Sequence, residues 1–344
     1  MEIGQRKNNM ELAIKLLKAF IIILTMMVTA TLSTVIHEFG HFIMGKLIGY
    51  EFVSFRIGPL AIMRKNGKLR FTIQNSIVGT GGQCIMLPPE SKEPEKVPAV
   101  PYHLGGGLFN LLTVLLALPP AILATNKFVR VFFILLAAFS AGLALINLIP
   151  LKFTVPNDGY NVKLILTSKA DRIAIYKLLR MDGLRDRSPA EFLTALFDPR
   201  EEEGEYGRVM KLFRGSFLQD VGDFEKAEQI FAECSSKELN DIPYYRLEAS
   251  CERLFCMILR GAAREEIDQV YDEELKKYFE KTKKGSVGKR RILYALYKCV
   301  LRDEAAARQE LAEAERLLRK CSSRGEAKME AKLLERVKNM QITL

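Results

Sequence analysis

Apolar residues are distributed very unevenly along this chain of 344 residues. Up to about Pro150 the chain holds long apolar stretches with few charges, whereas from about Lys163 charged residues recur every few positions. Crossing the hydrocarbon core of a bilayer takes about 20 apolar residues in a helix. Three stretches reach that length, at about residues 19–48, 104–125 and 128–150. The N-terminal part is therefore predicted to lie in a membrane and the C-terminal part in water.

A different pattern separates the first two apolar stretches. Within residues 51–88 the segment FRIGPLAIMRKNGKLRFTIQ alternates between apolar and polar positions and is interrupted at Asn66 and Gly67. Alternation with a two-residue break of this type is typical of two strands joined by a tight turn. We predict a β-hairpin here.

Charge and cysteine content narrow the class of protein. The net charge is +10, but the basic residues alternate with acidic ones, which favours a solvated or membrane-proximal surface over a nucleic-acid partner. The six cysteines show no CxxC pair, and five of them lie in the soluble region. We expect free thiols in a reducing compartment.

The candidate chemistry begins with HEFGH inside the first apolar stretch. On a helix, His37 and His41 lie one turn apart on the same face, where both rings can bind one metal ion. Glu38 lies about 100° round the helix from His37, suited to activating a water molecule without binding the metal. Ionisable residues are costly in an apolar span, so their position there favours a functional site over a chance HExxH.

A catalytic zinc ion needs a third protein ligand and an open position for water. The segment NLIPLKFTVPNDGYN follows the third apolar stretch and contains Asp158 between Pro156 and Gly159. Irregular backbone at membrane depth is tolerated where it lines a cavity or is buried in protein. An ordinary surface turn explains the Asn157–Gly159 segment equally well, and the segment alone leaves both readings open.

These motifs together resemble the site-2 protease family of intramembrane zinc metalloproteases. The match spans about Thr34 to Leu164 and pairs HExxH with an Asn, Pro and Asp-Gly motif at the end of a later helix. The resemblance implies that Asp158 is the third zinc ligand and that Asn110 and Asn147 lie near the active site. The residues that carry it, besides the HEFGH segment, are Gly45, Gly49, Gly107, Asn110, Asn147, Pro150, Asp158 and Gly159.

Two features depart from the family pattern. The spacing from Asn147 to Asp158 is longer than in the compact form of the motif, and Asn157 stands where many relatives carry an apolar residue. The longer loop changes the connection that must bring Asp158 to the histidines. His103 lies at a predicted membrane edge without a partner motif, and we interpret it as interfacial rather than as a ligand.

The segment GTGGQ at residues 79–83 resembles a glycine-containing loop that follows the hairpin in this family and approaches the active site. Such a loop, here with Gly81 and Gly82, would pair edgewise with an unwound substrate segment, because a helix hides its scissile carbonyl. A plain connecting hairpin at the membrane surface is the alternative.

The soluble half is helical by periodicity. Residues 214–234 are similar to one tetratricopeptide unit, and later stretches look like degenerate helix pairs. This domain could be a docking surface for a partner, or it could be a solenoid that only stabilises the enzyme, and the sequence leaves both roles open. The unit's packing positions are Gly215, Gly222, Phe224, Ala227 and Phe231.

The predicted fold is mainly α: a polytopic membrane protein with a three-helix transmembrane metalloprotease core, a short membrane-associated β-hairpin and a C-terminal α-solenoid-like soluble domain. We expect a tail at 1–18, the protease core at 19–165, linker and helices at 166–205 and the helical domain at 206–344.

The expected function is that of an intramembrane zinc metalloendopeptidase. Its partners would be membrane-embedded proteins or peptides, the lipid bilayer and a protein bound by the helical domain. The alternative is an inactive membrane-anchored adaptor that displays helical repeats. The resemblance suggests a bacterial cell membrane, and the basic loop at 51–103 favours a cytoplasmic C-terminal domain with the N-terminus outside.

Overall fold

The computed structural model describes residues 2–65, 68–73, 81–152, 156–183, 204–236, 243–321 and 323–340. The chain forms two compact units. The first unit comprises residues 1–91, 97–152 and 156–163, and the second comprises 92–96, 153–155 and 164–344.

Three long apolar helices form the frame of the first unit. These are α1 (Glu2–Leu47), α2 (Val100–Leu123) and α3 (Lys127–Leu148). Each is long and apolar enough to cross a membrane, so the three predicted spans are present as candidate membrane helices. Residues 2–18, expected as a tail, continue α1.

Polar contacts between and within these helices lie on their inner faces. The Ser33 and Ser140 hydroxyl oxygens are 3.0 Å apart and join α1 to α3. The outer faces expose large apolar side chains such as Leu115 and Leu116. An exposed apolar surface of this extent is unfavourable in water and suits contact with lipid.

A small antiparallel sheet follows α1. Its strands are β1 (Glu51–Ile57), β2 (Leu60–Lys65), β3 (Lys68–Ile73) and β4 (Gly82–Leu87), in the order β3-β2-β1-β4. The predicted hairpin is present as β2 and β3, with Lys65 opposite Lys68. The sheet is larger than that hairpin because Gly58, at a φ of 54°, lies in a second turn between β1 and β2, and β4 pairs with β1.

Strand β4 connects the sheet to the helices. Leu87 pairs with Glu51 at one end of β1, and Gly82 pairs with Ile57 at the other end. The Tyr102 hydroxyl donates to the Cys84 carbonyl oxygen at 2.7 Å, which attaches β4 to α2. At the opposite edge of the sheet, β3 exposes an apolar row that includes Phe71, whose exposed fraction is 85%.

The second unit is helical. Asp171, in the helix Lys169–Gly183, accepts a hydrogen bond from the Tyr206 backbone N–H at 2.8 Å, so the segment predicted as linker and helices contains a packed helix. Residues 184–203, with the acidic run at 201–203, lie outside the described residues. Helix α4 begins in the first unit and ends in the second. The helices from α4 onward are α4 (Asp158–Thr167), α5 (Lys169–Gly183), α6 (Glu205–Val221), α7 (Phe224–Ser235), α8 (Pro243–Leu259), α9 (Arg264–Val270), α10 (Glu273–Thr282), α11 (Val287–Ala295) with a π-helix at Leu296–Leu301, α12 (Glu304–Leu318) and α13 (Arg324–Lys338).

Helices α6 and α7 contact each other at the positions identified in the sequence. Gly215 lies against the Phe231 ring, and Ala227 and Phe231 are buried. Glycine at 215 thus leaves room for the ring of the neighbouring helix. These contacts suit a helix pair, while the tetratricopeptide repeat itself stays a prediction.

The core of the second unit also contains a buried ion-pair network. The Arg291 guanidinium is fully buried, donates to Glu330 at 2.7 Å and to Glu252 at 3.0 Å, and lies 3.9 Å from the centre of the Phe255 ring. A buried guanidinium is tolerated only where its charge is paired in this way. All six cysteines are free thiols, as predicted.

Candidate active site

The HEFGH segment forms part of α1, and its three ionisable side chains face the interior of the first unit. His37, Glu38 and His41 are only 6–7% exposed. The Nε2 atoms of His37 and His41 are 3.2 Å apart, as expected for side chains one helical turn apart. The two imidazoles therefore present their Nε2 atoms to one point.

Asp158 is the first residue of α4, and its side chain extends to the same point. Its Oδ2 atom lies 3.3 Å from the Nε2 atom of His37 and 3.3 Å from that of His41. Burial opposes ionisation of Asp158, but the nearby histidines, His41 foremost, outweigh it and hold the pKa of this carboxyl well below its usual range. Asp158 thus adds a carboxyl oxygen to the two imidazole nitrogens.

Asn157 closes the long connection that precedes Asp158. Its amide nitrogen donates to the Ile149 carbonyl at 2.8 Å, and its Oδ1 atom accepts from the Tyr160 backbone N–H at 2.8 Å and from that of Leu151 at 3.2 Å. These bonds tie the end of α3 to the first turn of α4. The departure noted at Asn157 thus fixes the backbone beside Asp158, and the longer spacing does not displace the carboxylate.

Hydrogen bonds to the Nδ1 atoms orient both rings. His41 Nδ1 donates to the Tyr102 carbonyl oxygen at 2.7 Å, which leaves its Nε2 lone pair free. The Asn110 amide nitrogen lies 3.2 Å from His37 Nδ1, and Asn110 is fully buried. Ligand histidines in metal sites usually donate the N–H of the other ring nitrogen to an acceptor, as His41 does. His37 follows the same pattern when the Asn110 amide is turned so that its oxygen, which has no other hydrogen-bond partner among the described residues, lies at Nδ1.

The three donor atoms suit a zinc ion. A tetrahedral ion with bonds of about 2.0–2.1 Å spaces its ligand atoms about 3.3–3.4 Å apart. The separations between the Nε2 atoms of His37 and His41 and the Oδ2 atom of Asp158 are 3.2, 3.3 and 3.3 Å. Two neutral imidazoles and one carboxylate are also a ligand set found in catalytic zinc sites.

Helix α2 passes directly beside the two histidines at Gly106. A Cβ atom at this position would lie 2.5 Å from His37 Nε2 and 2.6 Å from His41 Nε2. Only glycine lets the α2 backbone come this close. Sequence reasoning singled out Gly107 of the same GGG run, whereas the structure places Gly107 against Leu148 and Gly106 at the site.

Glu38 lies against the start of β4. A Cβ atom on Gly82 would be 2.6 Å from the Oε1 atom of Glu38, so the strand and the carboxylate are in direct contact. Gly81 and Gly82 are therefore near the site as expected, although Gly82 belongs to a strand. Gly79 and Thr80, the other part of the predicted loop, lie outside the described residues.

Arg56 is a neighbour that sequence reasoning missed. Its guanidinium donates to the Gly58 carbonyl at 2.9 Å and to the Gly82 carbonyl at 3.5 Å. Burial lowers the pKa of the Arg56 guanidinium, and the charge of Glu38 opposes that shift. The alternation of β1 places Arg56 on the buried face, which was the available signal.

His103, interpreted from sequence as interfacial rather than as a ligand, has a site neighbour that sequence reasoning missed. Its ring is buried, and its Nδ1 atom lies 3.7 Å from Asp158 Oδ1. The helix α2 begins at Val100, so His103 occupies its first turn, where α4 approaches. A lone histidine gave no sequence signal for this contact, because the contact depends on how α2 and α4 meet.

Asn147 has its amide nitrogen committed to its own helix, where it donates to the Leu143 carbonyl at 2.9 Å. The structure thus gives Asn110 a contact with a site histidine and gives Asn147 a contact within α3.

Comparison with known proteins finds a family match that includes the residues of the site on α1 and α2. Residues 19–128 match the model of peptidase family M50. This is the site-2 protease family, so the resemblance holds over these residues. The matched segment contains His37, Glu38, His41 and Asn110 but ends before Asp158, and it covers well under half of the chain. No curated protein and no solved structure matches. The match supports a membrane-bound peptidase.

Proposed function

We propose that this chain is an intramembrane zinc metalloendopeptidase that hydrolyses peptide bonds in or near transmembrane segments. One observation carries the proposal: His37, His41 and Asp158 bring three donor atoms within 3.3 Å of one another in a set of apolar helices, with Glu38 beside them. Such a cluster is costly in lipid unless it serves a function.

The residues take the following roles. His37, His41 and Asp158 would hold the zinc ion, which when bound supplies a Lewis acid and makes water a better nucleophile near neutral pH. Glu38 takes the proton from the attacking water and delivers it to the leaving amine. Asn110 contacts His37 at Nδ1 and would orient that ring, and it could also donate to the oxyanion that develops during peptide hydrolysis.

Substrates would be membrane-tethered regulators or remnants of signal peptides, as the resemblance implies. A helical substrate must unwind before its carbonyl can be attacked, and an unwound segment can pair with the edge of a strand. The contact between Gly82 and Glu38 supports pairing along β4. This would bring a substrate backbone to the carboxylate that moves the proton.

The helical domain is proposed to select or position the substrate, because none of the three histidines lies in it. Removing residues after about Arg180 should leave zinc bound while cleavage of the natural substrate falls. Loss of zinc would instead make the domain part of the core of the fold. We also propose a cytoplasmic location for this domain in a bacterial cell membrane.

An inactive adaptor is the second candidate function, and an intact HEFGH argues against it. A scaffold gains nothing from three buried ionisable side chains in an apolar span. The two candidates differ in one measurable property, which is peptide hydrolysis that depends on Glu38.

The test uses the purified full chain in lipid nanodiscs with a panel of single-span membrane proteins. Glu38→Gln leaves all three proposed ligands in place, so zinc should remain bound while cleavage falls by at least about 100-fold, as is typical when a general base is lost. Glu51→Gln, which changes an exposed carboxylate at the start of β1, is the matched control and should cleave normally.

Asp158→Asn tests the third ligand in the same preparations. A neutral amide oxygen is a poorer zinc ligand than a carboxylate, so bound zinc and cleavage should both decrease. Full zinc and full activity in this variant would remove Asp158 from the site. Unaltered cleavage by Glu38→Gln would refute the proposed mechanism, whereas a complete lack of cleavage by the unaltered chain would favour the adaptor.

A further inference from the structure

The two oxygen atoms of Asp158 have different neighbours. Oδ2 faces the Nε2 atoms of His37 and His41, whereas Oδ1 faces His103 Nδ1 at 3.7 Å. The carboxylate thus lies between the proposed metal position and a third imidazole. His103 itself belongs to α2, while Asp158 belongs to α4.

The other nitrogen of His103 shows why a polar ring occupies this position. Among the described residues, His103 Nε2 is buried and has no hydrogen-bond partner. A buried polar atom without a partner is unfavourable, and an apolar side chain of similar size would avoid it. The contact that accounts for the imidazole is therefore the one between Nδ1 and Asp158.

The contact between His103 and Asp158 can affect how the carboxylate would bind zinc. A catalytic zinc ion needs a fourth position open to water, and a carboxylate that turned both oxygens toward the ion would occupy that position. A polar group beside the outer oxygen, here at an ion-pair distance of 3.7 Å, favours a one-oxygen arrangement of the carboxylate. Groups that orient metal ligands in this way commonly affect metal affinity.

We propose that His103 is a positioning residue that holds Asp158 Oδ1, so that Oδ2 alone is presented with His37 and His41. The inference rests on the proposed function in taking Asp158 as a zinc ligand. It adds a residue that does not itself touch the metal or the substrate.

The experiment measures zinc affinity of the full chain by competition with a chelator, together with the visible absorption of the cobalt-substituted protein. His103→Leu should weaken zinc binding by about 10- to 100-fold and alter the cobalt spectrum, because the carboxylate is no longer held. His103→Asn should retain most of the zinc affinity and a nearly normal cobalt spectrum, since the amide nitrogen of asparagine lies near the position of the histidine Nδ1 atom.

Ser140→Ala is the matched control, because it removes a buried contact between helices without touching the site and should leave both readouts unchanged. If His103→Leu does not fold, His103→Gln replaces it, because the longer side chain carries its amide nitrogen beyond the Nδ1 position. A merely structural role would make the Asn and Gln variants equivalent, and that result would overturn the proposal.

A double-mutant cycle with Asp158→Asn separates this inference from the ligand assignment. The effect of His103→Leu on zinc affinity should largely disappear in the Asp158→Asn background, because the two changes remove one shared contact. Additive effects, or wild-type affinity and spectrum in His103→Leu, would overturn the role of His103. Unchanged zinc affinity in Asp158→Asn would instead refute the ligand assignment, and this inference with it.

Discussion

Gly106→Ala is the substitution that should damage the site with the smallest chemical change. The new Cβ atom would lie 2.5 Å from His37 Nε2 and 2.6 Å from His41 Nε2. Favourable contacts between such atoms require about 3.5 Å or more. The rings or the α2 backbone must therefore move by about 1 Å, at the atoms that would bind the metal.

The substitution should strongly reduce zinc binding and cleavage, but it should slightly stabilise the helix itself. Displacing catalytic groups by about 1 Å can cost about 100-fold in rate, or about 2.7 kcal/mol. Alanine favours a helix over glycine by about 0.8–1.0 kcal/mol. The variant should therefore retain its helical content while zinc affinity and cleavage fall by about 100-fold.

The assay compares bound zinc, cleavage of a membrane-embedded substrate and thermal unfolding in nanodiscs. Gly142→Ala is the matched control, because it makes the same change in α3 and its Cβ would meet nothing within 4 Å. This control should keep zinc affinity and cleavage. Wild-type zinc affinity and activity in Gly106→Ala would refute the geometry of the site as described here.

Three further predictions concern the rest of the molecule. The chain has no tryptophan, so Phe71→Trp would place a single fluorescent probe on the exposed apolar row of β3. If the sheet enters the bilayer, brominated lipids should quench the fluorescence of this tryptophan. They should not quench the tryptophan of the control variant Tyr244→Trp, which lies in the helical domain. Equal quenching of the two probes would contradict a membrane-associated sheet. For topology, Arg308→Cys on exposed α12 should react with an impermeant thiol reagent only after cells are opened, and labelling of intact cells would reverse the assignment. In the buried network, Arg291→Met removes the arginine that forms ion pairs with Glu252 and Glu330, and it should lower the free energy of unfolding by about 3–5 kcal/mol. The exposed Arg308→Gln should change it by at most about 1 kcal/mol, and similar effects of the two variants in denaturant titrations would contradict the burial of the network.

The sequence determined the parts of the fold that depend on local pattern. Three apolar helices follow from run length, and the hairpin of β2 and β3 follows from alternation around Asn66 and Gly67. The pairing of His37 with His41 also follows from sequence, because residues four apart on a helix share a face whatever surrounds them. These features need no knowledge of distant contacts.

Other features depended on where distant segments meet. The Asn157–Gly159 segment read equally well as a surface turn, and only the packing of α4 brings the Asp158 carboxylate to the histidines. Arg56 and His103 carried no motif, yet they lie near Glu38 and against Asp158 respectively. Their positions are set by side-chain packing between separate elements.

The chain thus encodes its metal-binding residues in two ways. The two histidines are fixed by helical periodicity, so the sequence alone identifies them. The third donor, its partner His103 and the close approach of Gly106 come from segments more than 60 residues apart along the chain from HEFGH. Contacts at that separation depend on the tertiary packing of α1, α2 and α4, because no local backbone preference fixes how those helices meet.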